Sequence, residues 1–210
     1  MDAAGWDARY CGTDLVWGLE PNRFVAAELE TLEPGRVLDV ACGEGRNTVW
    51  LARQGWHATG VDFSAAGVAR AEQLAATGGV SEETEFVVTD VVVGPLPTGP
   101  FDAVVIAYLQ LPASQRRHAV RLATGVLSPG GTLLVVGHDL RNLTDGIGGP
   151  QDPELLFTPQ DIVDDLEGLF ELVVDKAERV TRPVATPDGP KVAIDALVRL
   201  HRAGDRGRVM

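Results

Sequence analysis

Val37-Leu38-Asp39-Val40-Ala41-Cys42-Gly43-Glu44-Gly45-Arg46-Asn47-Thr48 decides how the rest of this 210-residue chain reads. Val37, Leu38 and Val40 make the short apolar run of a strand buried on both faces. Gly43 and Gly45 can take positive φ, and neither puts a Cβ between the backbone and a ligand. From Arg46 onward, Asn-Thr-Val-Trp-Leu-Ala-Arg-Gln predicts a helix that stops at Gly55. The free N–H groups at such a helix start favour an anionic or carboxylate-bearing ligand.

Two ligand classes use a strand, a glycine turn and a helix in this order: dinucleotides and S-adenosylmethionine. The dinucleotide pattern G-x-G-x-x-G needs a third glycine for close helix packing. Thr48 stands there instead, and an acid, Asp39, lies four residues before the first glycine. His57 to Val61 predicts a second strand ending at Asp62, 19 residues after Gly43. A carboxylate at that place can accept two hydrogen bonds from a ribose in either class, or it can cap the helix that Ser64 begins. Glu85 to Thr89 predicts the third strand, followed by Asp90, a ligand acceptor or a turn-forming Asp. The connector Gly94–Pro100 is rigid and helix-free.

Phe101 to Ala107 predicts the fourth strand. Tyr108-Leu109-Gln110 follows at its carboxyl end, where open α/β sheets bind ligands, so Tyr108 and Gln110 either line the reacting side or pack as ordinary loop. Ala113 to Val126 reads as an amphipathic helix with residues 114–118 on its outer face. Leu127-Ser128-Pro129-Gly130-Gly131 turns into an apolar strand that reaches Gly137. His138 then sits on the ligand rim, as a general base or as a loop histidine bonded to backbone. Residues 144–153 read as a mobile loop of the kind that forms lids. Thr158-Pro159 opens a short acidic helix that Gly168 ends. Phe170–Val174 predicts a sixth strand, Thr186–Pro190 a turn, and Val192–Leu200 a seventh strand. At the other end, Trp6, Tyr10 and Trp17 are out of place in a disordered arm. They either cover the core or close over a pocket. Asn22 then begins a helix with Phe24, Val25, Leu29 and Leu32 as its apolar stripe.

D-V-A-C-G-E-G resembles motif I of the class I S-adenosylmethionine-dependent methyltransferases. The acids ending strands two and three, the F-D-x-V fourth strand and the L-x-P-G-G turn resemble that family's later motifs, in order, over residues 35–200. W-D-x-R-Y and W-G-L-E-P-N-x-F near the start resemble the small tellurite-resistance and thiopurine methyltransferases. The resemblance implies an α/β, Rossmann-like, doubly wound seven-stranded sheet, mostly parallel, with a C-terminal antiparallel hairpin strand. It implies one domain: a cap or lid segment over 1–34, the core over 35–200 and a tail over 201–210. It implies S-adenosylmethionine as cofactor, S-adenosylhomocysteine as product and a small-molecule methyl acceptor. Asp39, Ala41, Gly43 and Gly45 are expected at the methionine end, Asp62 at the ribose and Asp90 with Val91 at the adenine. Asn47, Phe63 and Ala107 complete the cofactor set, and His138 and Tyr108 are the catalytic candidates.

A net charge of −12 argues against a nucleic-acid surface, which needs a basic footprint. No apolar run is long enough to span a membrane, and no signal peptide opens the chain. Two cysteines, Cys11 and Cys42, imply no disulfide framework and point to a reducing cytoplasm. No metal-ligand spacing is present. A monomer or homodimer is expected. The rival readings are an NAD-dependent oxidoreductase and a protein that binds the cofactor without transferring its methyl group.

Overall fold

The computed structural model describes residues 2–12, 14–169 and 171–204. Strands β1 (Arg36–Val40), β2 (His57–Asp62), β3 (Thr84–Val88), β4 (Phe101–Ala107), β5 (Leu127–His138), β6 (Leu172–Val184) and β7 (Lys191–Arg202) form one sheet in the order β3-β2-β1-β4-β5-β7-β6. The first five pair parallel, and β7 pairs antiparallel with both β5 and β6. Strand order reverses between β1 and β4, so a crevice opens at their carboxyl ends.

Strand residues alternate between two cores. Val37, Leu134, Val136 and Leu197 face the helices α2 (Arg23–Leu29), α3 (Arg46–Arg53) and α4 (Ala65–Gly78). Leu38, Val40, Leu133, Val135 and Val198 face α5 (Ala113–Gly125) and α7 (Pro159–Asp165). Period two therefore puts Asp39, His138 and Asp195 on the α3 side of the sheet, at one edge. α1 (Ala3–Tyr10) lies against α4, and α6 (Asn142–Asp145) follows β5. No helix among the described residues is long and apolar enough to cross a membrane.

Several local expectations differ from the structure. β3 begins at Thr84 and ends at Val88, one residue earlier than its periodicity suggests. The Pro129-Gly130-Gly131 stretch does not separate two elements. It is an irregularity inside β5, where the register against β4 shifts between Phe101 and Ala103. Arg116 is buried, not on the outer face of α5. It shares the stripe of Ala119, Val120 and Ala123 and is neutralised by Asp165, with Nε and Oδ2 2.8 Å apart. β6 runs to Val184, far beyond residue 174. It is an edge strand whose Lys, Glu, Arg and Pro hid it from an apolar pattern, and such residues guard an edge against further pairing. Residues 201 and 202 belong to β7, while 205–210 of the expected tail, and Phe170 of the expected sixth strand, lie outside the described residues.

Candidate active site

The crevice is marked by backbone as much as by side chains. Ala41 and Tyr108, at the ends of β1 and β4, both take left-handed conformations (φ 59° and 61°). Such strain in non-glycine residues persists only where the surroundings enforce it, and it clusters at functional sites. Gly43 and Gly45 have φ of 56° and 80°, and Gly45 is the N-cap of α3, with no side chain capping the free amides. A Cβ on Gly45 would stand 2.6 Å from the Ala71 methyl, so the turn could not close on α4 with a larger residue.

Asp39 is sealed beneath this turn. Its Oδ2 accepts a 2.7 Å bond from the Thr48 hydroxyl, and its Oδ1 has no partner. Burial raises its pKa to about 7, against the opposing Thr48 bond. Thr48 therefore has a positive role where a dinucleotide site would need glycine. Asp62 accepts from the Gly43 amide at 2.8 Å and the Ser64 amide at 2.9 Å, so it braces the turn, and burial still raises its pKa. Ser64, not Asp62, caps α4 by accepting from Gly67. Phe63 lies half-buried beside them. Asp90 makes the turn of its alternative reading: its Oδ1 accepts from the Val92 amide at 2.8 Å. The Val91 side chain is in the core, and Ala107 is half-buried at the end of β4.

The aromatic segment docks on the glycine turn. Asp7 accepts from the Ser64 hydroxyl at 2.5 Å and from the Ala66 amide. Buried Glu44 accepts from the Val16 amide at 2.8 Å and from Arg70 at 2.7 Å. Arg46 donates to the Trp17 carbonyl. Asn47 accepts from the Asn22 amide at 2.8 Å, so its side-chain oxygen faces this segment. Trp6 stacks on Tyr10, and a Cβ on Gly43 would stand 2.8 Å from the Tyr10 hydroxyl. Burial raises that hydroxyl's pKa to about 12.

Across the switch point, β4, β5, β6 and β7 contribute a second cluster. Asp195 is fully buried on β7. Its Oδ2 accepts from the Tyr108 hydroxyl at 2.7 Å and from Arg182 Nε at 2.8 Å. Its Oδ1 lies 3.1 Å from His138 Nδ1, but off the line of a hydrogen bond, so both atoms remain unsatisfied. The rings of Tyr108 and His138 meet edge-on at 4.9 Å. Burial, and then the Asp195 charge, raise the Tyr108 pKa far above the ordinary phenol range. Gln110 accepts from the His138 amide at 2.8 Å and donates to the Leu155 carbonyl.

The loop expected to be mobile is tied down here. Asn142 donates to the Gly148 carbonyl at 2.8 Å and accepts from the Ile194 amide at 2.8 Å. Gly149 covers the imidazole, where a Cβ would come within 2.8 Å of Nε2. Asp139, just past the end of β5, pairs with Arg179 at 2.8 Å and keeps its Oδ2 unsatisfied. Asp195, Arg182 and Asp139 were missed in sequence. The one available signal was a lone acid inside the apolar run Val192-Ala193-Ile194-Asp195-Ala196-Leu197-Val198. No cluster of metal-ligating side chains occurs among the described residues.

Comparison with known proteins agrees with this arrangement. Residues 37–131 match the family described as a methyltransferase domain. The chain is 35% identical over 127 residues to a demethylmenaquinone methyltransferase of Thermus thermophilus, covering 60% of this chain and 55% of that protein. It is 33% identical over 111 residues to an uncharacterized methyltransferase of Mycobacterium tuberculosis, covering 53% and 54%. The chain thus spans about half the length of these curated relatives. The structure reported for conversion of a disulfide bond into a thioacetal group during echinomycin biosynthesis superposes with a TM-score of 0.77 at 21% identity, over 99% of this chain and 94% of that one. TehB of Haemophilus influenzae superposes at 0.70 with 16% identity, over 96% and 66%.

Family match, relatives and sheet order agree: residues 37–131 are similar to a methyltransferase domain, on a sheet shared with solved methyltransferase structures.

Proposed function

We propose that the protein transfers a methyl group from S-adenosylmethionine to a small-molecule acceptor. The observation that carries this reading is Asp39: a buried carboxylate with one satisfied oxygen and one bare one, set beneath a glycine turn at the switch point. A buried acceptor without a donor costs stability, and the α-ammonium of the cofactor is the donor of matching charge. The uncapped start of α3 suits its carboxylate. Asp62, already braced by two amides, has lone pairs left for a ribose. Asp90 and Val91, with Phe63, border the adenine side, and Ala107 lies at the end of β4 beside the crevice. When bound, the cofactor supplies an electrophilic methyl on a sulfonium.

The chain's own residues then have to align an acceptor and, if it is protonated, remove its proton. Alignment of this kind can be worth about 7–11 kcal/mol. His138 is the base in this reading. The raised pKa of Tyr108 makes it a hydrogen-bond donor in the neutral range. Residues 1–34 act as a cap that closes the cofactor in, and 35–202 form the core of a single domain. The acidic charge of −12 favours a small acceptor over nucleic acid. Free Cys11 and Cys42 suit a reducing cytoplasm. The protein works as a monomer or homodimer.

Calorimetric titration with S-adenosylmethionine, S-adenosylhomocysteine and NAD tests the reading. Micromolar binding of the first two, lost in Asp62→Ala, is expected. Binding of NAD alone overturns it.

A further inference from the structure

We propose that Asp195 is a positioning residue that fixes the tautomer of His138, holding the imidazole proton on Nδ1 so that Nε2 presents its lone pair to the acceptor. The two groups lie on adjacent antiparallel strands in direct register, His138 opposite Asp195. Nδ1 and Oδ1 are 3.1 Å apart, and each is buried with no other partner. A small turn of the ring joins them. Among the described residues Nδ1 has no other hydrogen-bond partner, and a sealed ring nitrogen without one carries a desolvation cost.

The other oxygen of Asp195 explains why the carboxylate faces the imidazole this way. Tyr108 from the end of β4 and Arg182 from β6 both donate to Oδ2. They orient the carboxylate, leaving Oδ1 as the free acceptor. His138 is placed from behind by its own strand, with Gln110 accepting from its backbone amide. Nδ1 is the ring nitrogen sealed without a partner, while Gly149 packs against the ring beside Nε2, where a Cβ would not fit. This extends the methyl-transfer reading, in which an acceptor O–H or N–H gives its proton to Nε2. The acceptor's electron pair forms the bond to the methyl carbon, and the pair of the broken carbon–sulfur bond stays on sulfur. A base in the wrong tautomer has no lone pair to offer, even with its geometry intact.

The test is a 15N-resolved NMR spectrum of the His138 imidazole in the full chain, at a pH where the ring is neutral, with neither cofactor nor acceptor added. The expected result is protonated Nδ1 in the unmodified protein. In Asp195→Asn the proton moves to Nε2, read as exchange of the two nitrogen shifts, and in Asp195→Glu it returns to Nδ1. Protonated Nε2 in the unmodified protein overturns the proposal, and this holds even if the variants fail to fold. An unchanged spectrum in folded Asp195→Asn overturns it as well. Because the signal needs no cofactor, a protein that shows the expected tautomers but binds no S-adenosylmethionine would sink the methyl-transfer reading alone.

Discussion

The two sides of the switch point are built from different materials. On the β1 side, one continuous stretch from Asp39 to Thr48 supplies the strained Ala41, both glycines, the helix start and the acid with its threonine. On the β4–β5–β7–β6 side, Tyr108, His138, Arg182 and Asp195 come from four separate strands, and one of these, β7, runs antiparallel to the rest. The first side is local backbone chemistry with two buried acids, Asp39 and Glu44. The second is a network of side chains that exists only once the hairpin has paired. A fold can keep its cofactor site in one motif while its acceptor site varies residue by residue on neighbouring strands.

The sharpest way to break this comparison is Asp39→Asn. The amide keeps an acceptor for Thr48 but loses the charge. Affinity for S-adenosylmethionine should fall about 10- to 150-fold, the worth of a hydrogen bond to a charged group. Stability should move the other way. The raised pKa of Asp39 means that its contribution is complete below the unfolded value, about 4, and is lost as pH climbs to about 7. The melting temperature of Asp39→Asn should therefore gain on the parent protein from pH 5 to pH 8. A gap that stays constant with pH would show that Asp39 does not titrate in this range. The His138 spectrum should not change, and if it did, the two sides would not be separable.

Tyr108→Phe addresses the other side with a smaller effect. It removes one donor from Asp195 and leaves Arg182 in place. A loss of about 1–3 kcal/mol in denaturant unfolding is expected, with cofactor affinity unchanged by calorimetry. A tenfold loss of affinity would mean that the ring belongs to the cofactor side. The smallest change is Glu44→Ala, which frees the Val16 amide and one Arg70 bond. Amide hydrogen exchange at Val16 should rise about tenfold, equivalent to about 1.4 kcal/mol, with little change in β1. Equal acceleration in β1 would join the cap to the core as one opening unit.

The legibility of each side follows from its construction. The parallel strands were readable because burial on both faces leaves near-continuous apolar runs, as in Val37–Val40 and Phe101–Ala107. β6 was readable only at its start, because an exposed edge strand need not be apolar. Arg116 was misplaced because charge outweighed its position on the α5 stripe, and the partner that permits burial, Asp165, lies 49 residues away. His138 and Tyr108 are candidates by their places at strand ends. Their shared carboxylate was not found, since nothing local to Asp195 names a partner 87 residues earlier.

By itself the sequence determined the turn of Gly43 and Gly45, the order of the α/β units, and the acid that the turn covers. These depend on backbone freedom and periodicity, which are properties of neighbours in the chain. Only the tertiary structure decided which oxygen of Asp39 is bare, that Asn47 and Glu44 face the N-terminal segment, and that Asp195 stands between Tyr108, Arg182 and His138. Hydrogen-bond pairing inside a core is settled by which groups the packed sheet brings within about 3 Å, and that distance has no counterpart along the chain.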